Sequence, residues 1–148
     1  QSTDPEPSIF VINWTFIDRF DYRYDNIPLK WHTCRPGNSD AETYYKLYHD
    51  EYRDKLSTLI NIQACLSVLQ KHKVVMTYMD DLMFDQRWNT TPAITTLQGY
   101  CEPYMTRFDN KSFLEYSKEK GFEISQTLHP LEAAHQAAFE LISSYNLV

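Results

Sequence analysis

The chain has 148 residues, 43% of them apolar and 23% charged, with 20 acidic against 14 basic side chains and a formal net charge of −6. This composition excludes a collagen, a coiled-coil rod and a disordered tail, and the length suffices for one domain whose core needs neither disulfides nor metal. The acidic balance, with no basic block, argues against a nucleic-acid binder driven by counterion release, and 3 Gly are too few for a glycine-cradled phosphate site.

Residues 1–7 are polar and proline-punctuated, a leader rather than an element. Ser8 to Trp14 (SIFVINW) is a short β-rich apolar run of the kind found in a buried parallel strand. Thr15 to Asn38 is irregular, aromatic and charged, too long for a simple connection, and closes on the turn signal Pro36-Gly37-Asn38. Ser39 with Glu42 has the spacing of a capping box, which predicts one long helix. Its apolar stripe is read along Tyr45, Tyr48, Tyr52, Leu56, Leu59, Ile60, Gln63, Leu66 and Leu69, with Asp50, Arg53, Asp54 and Lys55 mostly off the stripe. Lys73 to Met79 (KVVMTYM) is a second strand, so residues 8–79 read as a βαβ unit.

The C-terminal part, residues 80–148, reads as mainly helical. Thr91-Pro92 could open a helix that Pro103 interrupts. Ser112 and Glu115 form another capping-box pattern, and Gly121 sits where a left-handed cap belongs, predicting a short helix over Phe113 to Lys120. Phe122 to Ile124 reads as a strand fragment. Pro130 to Tyr145 reads as a last helix with Pro in its first turn and Leu131, Ala134, Ala138, Leu141, Ile142 and Tyr145 on one face. The whole is a single α/β domain.

Cys34, Cys65 and Cys101 are an odd, widely spaced set without a CxxC, which points away from a disulfide framework or zinc site and towards a reducing compartment. No apolar run approaches the roughly 20 residues needed to cross a bilayer. A cytoplasmic or virion location is therefore expected, without membrane association, nucleic acid, metal or cofactor.

In open α/β sheets, ligands sit outside the carboxyl ends of parallel strands. Here that edge receives Asn13, Thr15 and Arg19 from the first strand, Asp80 and Asp81 from the second, and His129 and His135 from the last helix. Each also has a structural reading. His129 could cap backbone groups, His135 could be a core histidine, Asp80 could cap a turn, and Arg19 could belong to a surface ion-pair set.

The stretch Gly121 to Ala138 (GFEISQTLHPLEAAHQAA) resembles the closing motif of SGNH/GDSL-type hydrolase-like proteins, particularly divergent ones of bacteriophages and marine viruses, in which His-Pro is followed by a second His on the last helix. Phe10 to Thr15 (FVINWT), with Arg19, resembles their middle strand and following loop. The resemblance implies a flavodoxin-like three-layer α/β sandwich and hydrolysis of esters, often acyl groups on carbohydrates. His129 would be the general base, with Thr15 or Asn13 near the oxyanion pocket. Gln126 occupies the position where the family carries an Asp three residues before the His. The Gly-Asp-Ser turn is not among these residues, so the serine is expected from a preceding segment or a partner chain. The alternative is a non-catalytic interaction or structural module, virion-associated or homo-oligomeric.

Overall fold

The computed structural model describes residues 8–23 and 31–145. It is a mixed α/β chain built on a parallel pair, β1 (Ile9–Trp14) and β4 (Lys73–Tyr78), in register from Ile9 opposite Lys73 to Trp14 opposite Tyr78. Between them lie an antiparallel pair, β2 (Phe20–Arg23) and β3 (Trp31–Cys34), then helices α1 (Glu42–Leu47) and α2 (Glu51–Val68). After β4 come α3 (Pro92–Cys101), α4 (Phe113–Glu119) and α5 (Glu132–Ser144). The expected leader 1–7 lies outside the described residues.

β4 is the axis of the molecule. Val75, Met76, Thr77 and Tyr78 are all buried. Because side chains alternate along a strand, Met76 and Tyr78 enter one apolar cluster with Leu59, Ile62 and Leu66 of α2 and Ile94 and Cys101 of α3. Val75, with Met79 just beyond the strand, enters the other, with Phe113, Leu114 and Tyr116 of α4 and Ala134, Ala138 and Ile142 of α5. A strand covered on both faces must be apolar throughout. Its exception is Thr77, whose hydroxyl donates to Asn13 Oδ1 across the pair at 3.0 Å.

Several local readings hold. Thr91 caps α3 through the Ile94 amide, with Pro92 in the first turn. Ser112 Oγ accepts from the Glu115 amide and donates to the Glu115 carboxylate. Gly121, at φ +72°, closes α4, and the Phe122 amide reaches back to the Ser117 carbonyl.

Others are corrected. The irregular segment 15–38 contains the β2/β3 ladder, which its mixed aromatic and charged sequence conceals. The single long helix is two. Ser39 makes no side-chain cap, whereas Asp50 accepts from the Tyr52 and Arg53 amides and starts α2 afresh. The final helix begins at Glu132, because Pro130 is taken up in a β-bridge to Ile124, all that remains of the expected strand fragment.

The buried line of α2 is Lys55, Leu59, Ile62 and Leu66, rotated from the expected stripe so that Ile60 is exposed. Lys55, expected off the stripe, is 0% exposed. Its Nζ donates to the carbonyls of Asp85 (2.6 Å) and Trp88 (2.7 Å) and lies 5.2 Å from the Trp88 ring centroid. Burial lowers its pKa, opposed by the nearby Asp85. Gln98 of α3 braces the same segment by donating to the Met83 and Asp85 carbonyls. Lys55→Met is expected to leave the Trp88 carbonyl without a donor and the Asp85 carbonyl with Gln98 alone, and to cost about 1–3 kcal/mol of unfolding free energy. Urea denaturation measures this, and a loss below about 0.5 kcal/mol would mean that the segment finds other donors.

Candidate functional site

The parallel register ends β1 and β4 side by side, so the residues just beyond them share one edge: Phe16, Ile17, Asp18 and Arg19 after β1, Asp80 and Asp81 after β4. Two adjoining cavities open there. The first, about 330 Å³, is lined by Phe16, Asp18, Arg19, the Arg35–Asn38 turn and Gln126 to His129. The second, about 510 Å³, is lined by Asp18, Tyr45, His49, Glu51, Asp54 and Asp80 among apolar walls that include Ile17, Leu82, Trp88 and Leu114. Phe16, Asp18, Pro36 and Leu128 belong to both.

His129 reaches the first cavity from a tight loop rather than from a helix start. The Ser125 amide donates to the His129 carbonyl at 2.8 Å, the Leu128 amide to the Ser125 carbonyl at 3.0 Å, and Ile124 bridges to Pro130. Leu128 carries the left-handed turn conformation, φ +63°, that such loops usually assign to Gly. Strain of about 1–2 kcal/mol is thereby accepted at a residue that walls both cavities. The His129 amide donates to Ser125 Oγ at 3.1 Å, and its ring meets Phe16 edge-on at 5.9 Å. Burial, reinforced by Arg19, Arg35 and His135, lowers its pKa from the ordinary 6.5, so the imidazole is neutral at pH 7. Among the described residues, no hydroxyl is hydrogen-bonded to that imidazole.

The other residues singled out in the sequence divide. Arg19 lines the first cavity, and its Nη1 donates to Thr15 Oγ1 at 3.0 Å, so Thr15 positions Arg19 and lines neither cavity itself. Asp80 lines the second cavity and caps the following turn, accepting from the Leu82 amide at 3.0 Å. Asn13 is spent on Thr77 and lies outside both cavities. His135 is exposed on the flank of α5, its ring 4.9 Å from that of Phe113, which corrects the expectation that it points inward or into the edge.

Sequence reasoning missed Arg35, Tyr45, His49, Leu128 and Trp88. Arg35 stands directly before Pro36-Gly37, a signal read only as a turn. Gly37, at φ +90°, needs to be Gly for that turn. Tyr45, part of the expected stripe, donates its hydroxyl to the Asp18 carbonyl at 2.6 Å and fixes the loop that carries the carboxylate. His49 Nε2 lies 2.9 Å from Asp54 Oδ2.

Burial raises the Asp18 pKa, with Asp54 adding and His49 and Arg19 opposing. Asp80 is pushed up to about 6, by burial first and then by the nearby Asp18 and Asp81, against the Leu82 amide. Among the described residues, no group of three or more His, Cys, Asp or Glu side chains is arranged to hold a metal ion, and no helix is long and apolar enough to cross a membrane. No family model, curated protein or solved structure matches the chain.

A carboxyl whose folded pKa lies above its unfolded value binds its proton more tightly when folded. Stability is therefore fully present below pH 3.8 and falls as pH rises towards 6. Asp80→Asn keeps an acceptor for the Leu82 amide and removes the charge. It is expected to raise stability at pH 7.5 by at most about 3 kcal/mol and to flatten the pH dependence between about 4 and 6. Thermal unfolding across that range measures it, and an unchanged slope would refute the assignment to Asp80.

Proposed function

We propose that this chain is an SGNH hydrolase-like domain of flavodoxin-like architecture, acting on small esters or acyl groups of carbohydrates. One observation carries this reading: His129 lines one cavity with Arg19 and Arg35 at the carboxyl edge of the parallel pair. The helices on both sides of β4 support the layered architecture. The free cysteines Cys65 and Cys101, the latter buried, suit a reducing setting such as host cytoplasm or a virion.

In this reading, the imidazole of His129 takes the proton of a serine hydroxyl as its oxygen attacks the ester carbonyl. The serine comes from a preceding segment or partner chain. The guanidinium groups of Arg19 and Arg35 stabilise the negative charge that develops on the carbonyl oxygen. Collapse returns the proton to the departing alcohol, and water then releases the acyl group by the same steps. Gln126, in the same cavity, can orient the imidazole by hydrogen bonding but supplies no anion to stabilise imidazolium. An amide in place of that carboxylate costs about four orders of magnitude in a serine protease, so slow turnover follows.

The native protein, with every segment it carries, is expected to hydrolyse 4-nitrophenyl acetate. Because the neutral imidazole is the active form, kcat/KM is expected to be level at pH 7 and above and to fall only below the ordinary histidine value of 6.5. His129→Ala should lower it about a thousandfold. Absence of turnover, or turnover indifferent to His129, overturns the hydrolase reading.

A second reading, a non-catalytic interaction or structural module, is favoured by the β1 strand. Ile9 and Val11 are 51% and 60% exposed, a run of apolar surface along a strand at the sheet margin. That reading predicts a stable complex, with copies of itself or another chain, in sedimentation velocity. A monomer at all accessible concentrations with no co-purifying partner counts against it.

A further inference from the structure

The two adjoining cavities differ in the charge each leaves unanswered. In the first, Arg19 and Arg35 bring two guanidinium groups, and no carboxylate among the described residues lies within ion-pair distance of either. Arg19 Nη1 is held by Thr15 and Arg35 Nε by Asn38 Oδ1, both uncharged acceptors. Arg19 Nε is buried with no hydrogen-bond partner. A buried guanidinium N–H without an acceptor costs free energy that a bound anion would recover.

The second cavity has the opposite character. Its lining includes Asp18 and Asp80 and no Lys or Arg. Asp54, in the same wall, is already paired with Arg53. Asp18 and Asp80 have no ion-pair partner among the described residues, and each is partly desolvated. Around them stand Leu82, Trp88 and Leu114, a wall suited to an apolar body rather than a hydrated metal ion. Asp18 and Leu128 belong to both cavities, so one ligand can occupy the two at once.

We propose that the two cavities form one bipartite cleft for a zwitterionic ligand with an apolar middle, its ammonium group between Asp18 and Asp80 and its carboxylate at Arg19 and Arg35. The chemical class is a short peptide or amino-acid derivative with free ends. The assignment rests on the cleft of the proposed hydrolase but needs no turnover; a carboxylate at Arg19 and Arg35 takes the groups that reading gives to the ester carbonyl, so such a ligand competes with an ester.

Isothermal titration calorimetry with the dipeptide Leu-Phe, its N-acetyl form and its C-terminal amide tests this at pH 7.5. The free dipeptide is expected to bind at least about tenfold more tightly than either blocked form, since each block removes one charge-assisted contact. The double variant Asp18→Asn with Asp80→Asn should abolish the penalty for acetylation while keeping that for amidation. Arg19→Gln should do the reverse. Circular dichroism verifies that both variants are folded; if Arg19→Gln is not, Arg35→Gln replaces it with the same expectation. No saturable binding up to about 10 mM, or equal binding of all three peptides, overturns the proposal, as does a variant that loses both penalties together. 4-Nitrophenyl acetate carries neither charge, so the two failures separate. Turnover of that ester without peptide binding overturns only the zwitterion assignment, and peptide binding without turnover overturns only the hydrolase.

Discussion

Everything in this structure is arranged around the two-sided burial of β4. The strand feeds alternate side chains into the α2/α3 core and the α4/α5 core, so neither core is complete without it. Burial on both faces also fixes what β1 must provide, because the hydroxyl of Thr77, within the buried part of β4, needs an acceptor and obtains it from Asn13. The register that satisfies Thr77 is the one that ends both strands together, which in turn brings Asp18 and Asp80 to a common edge. The closeness of two carboxylates is thus a by-product of strand pairing, tolerated at a cost in stability.

That cost falls at the cleft and is offset elsewhere. Tyr45 holds the Asp18 backbone, Thr15 holds Arg19, and Asp80 retains the Leu82 amide. Lys55 and Gln98 fasten the 83–88 segment from two different helices and so hold Trp88 in the cleft wall. Leu128 accepts a left-handed backbone conformation, and the loop it closes presents His129 and Gln126 to the first cavity. The strain at Leu128 and the unmatched charge meet at this one edge, while the two cores carry the burial that sustains it.

The parts of this arrangement that were legible in the sequence are those with a local cause. The apolar runs at Ser8 to Trp14 and Lys73 to Met79, the Thr91-Pro92 helix start, and the Ser112, Glu115 and Gly121 signals each depend on neighbours within a few residues. The parts that were hidden have distant causes. Lys55 reads as a solvent-facing charge until carbonyls thirty and more residues away supply its acceptors. The break before α2 is set by Asp50, whose cap competes with the equally plausible Ser39. His129 and Arg19 were found by following the strand ends, but Arg35 and Trp88 enter the cleft from segments whose sequence signals only a turn or a loop. His135 was misplaced because the buried line of α5 is narrower than the expected face: Ala134, Ala138 and Ile142 are buried, whereas Leu131, one turn before position 135, is exposed.

The parallel pairing joins residues 64 positions apart along the chain, as Asn13 and Thr77 illustrate. Closing so long a loop costs conformational entropy before any ladder hydrogen bond is gained, whereas a helix such as α2 forms from near neighbours. The cleft, which exists only where β1 and β4 end together, therefore carries the entropy cost of closing that loop. Ligand recognition there is available only once residues 64 positions apart have been joined.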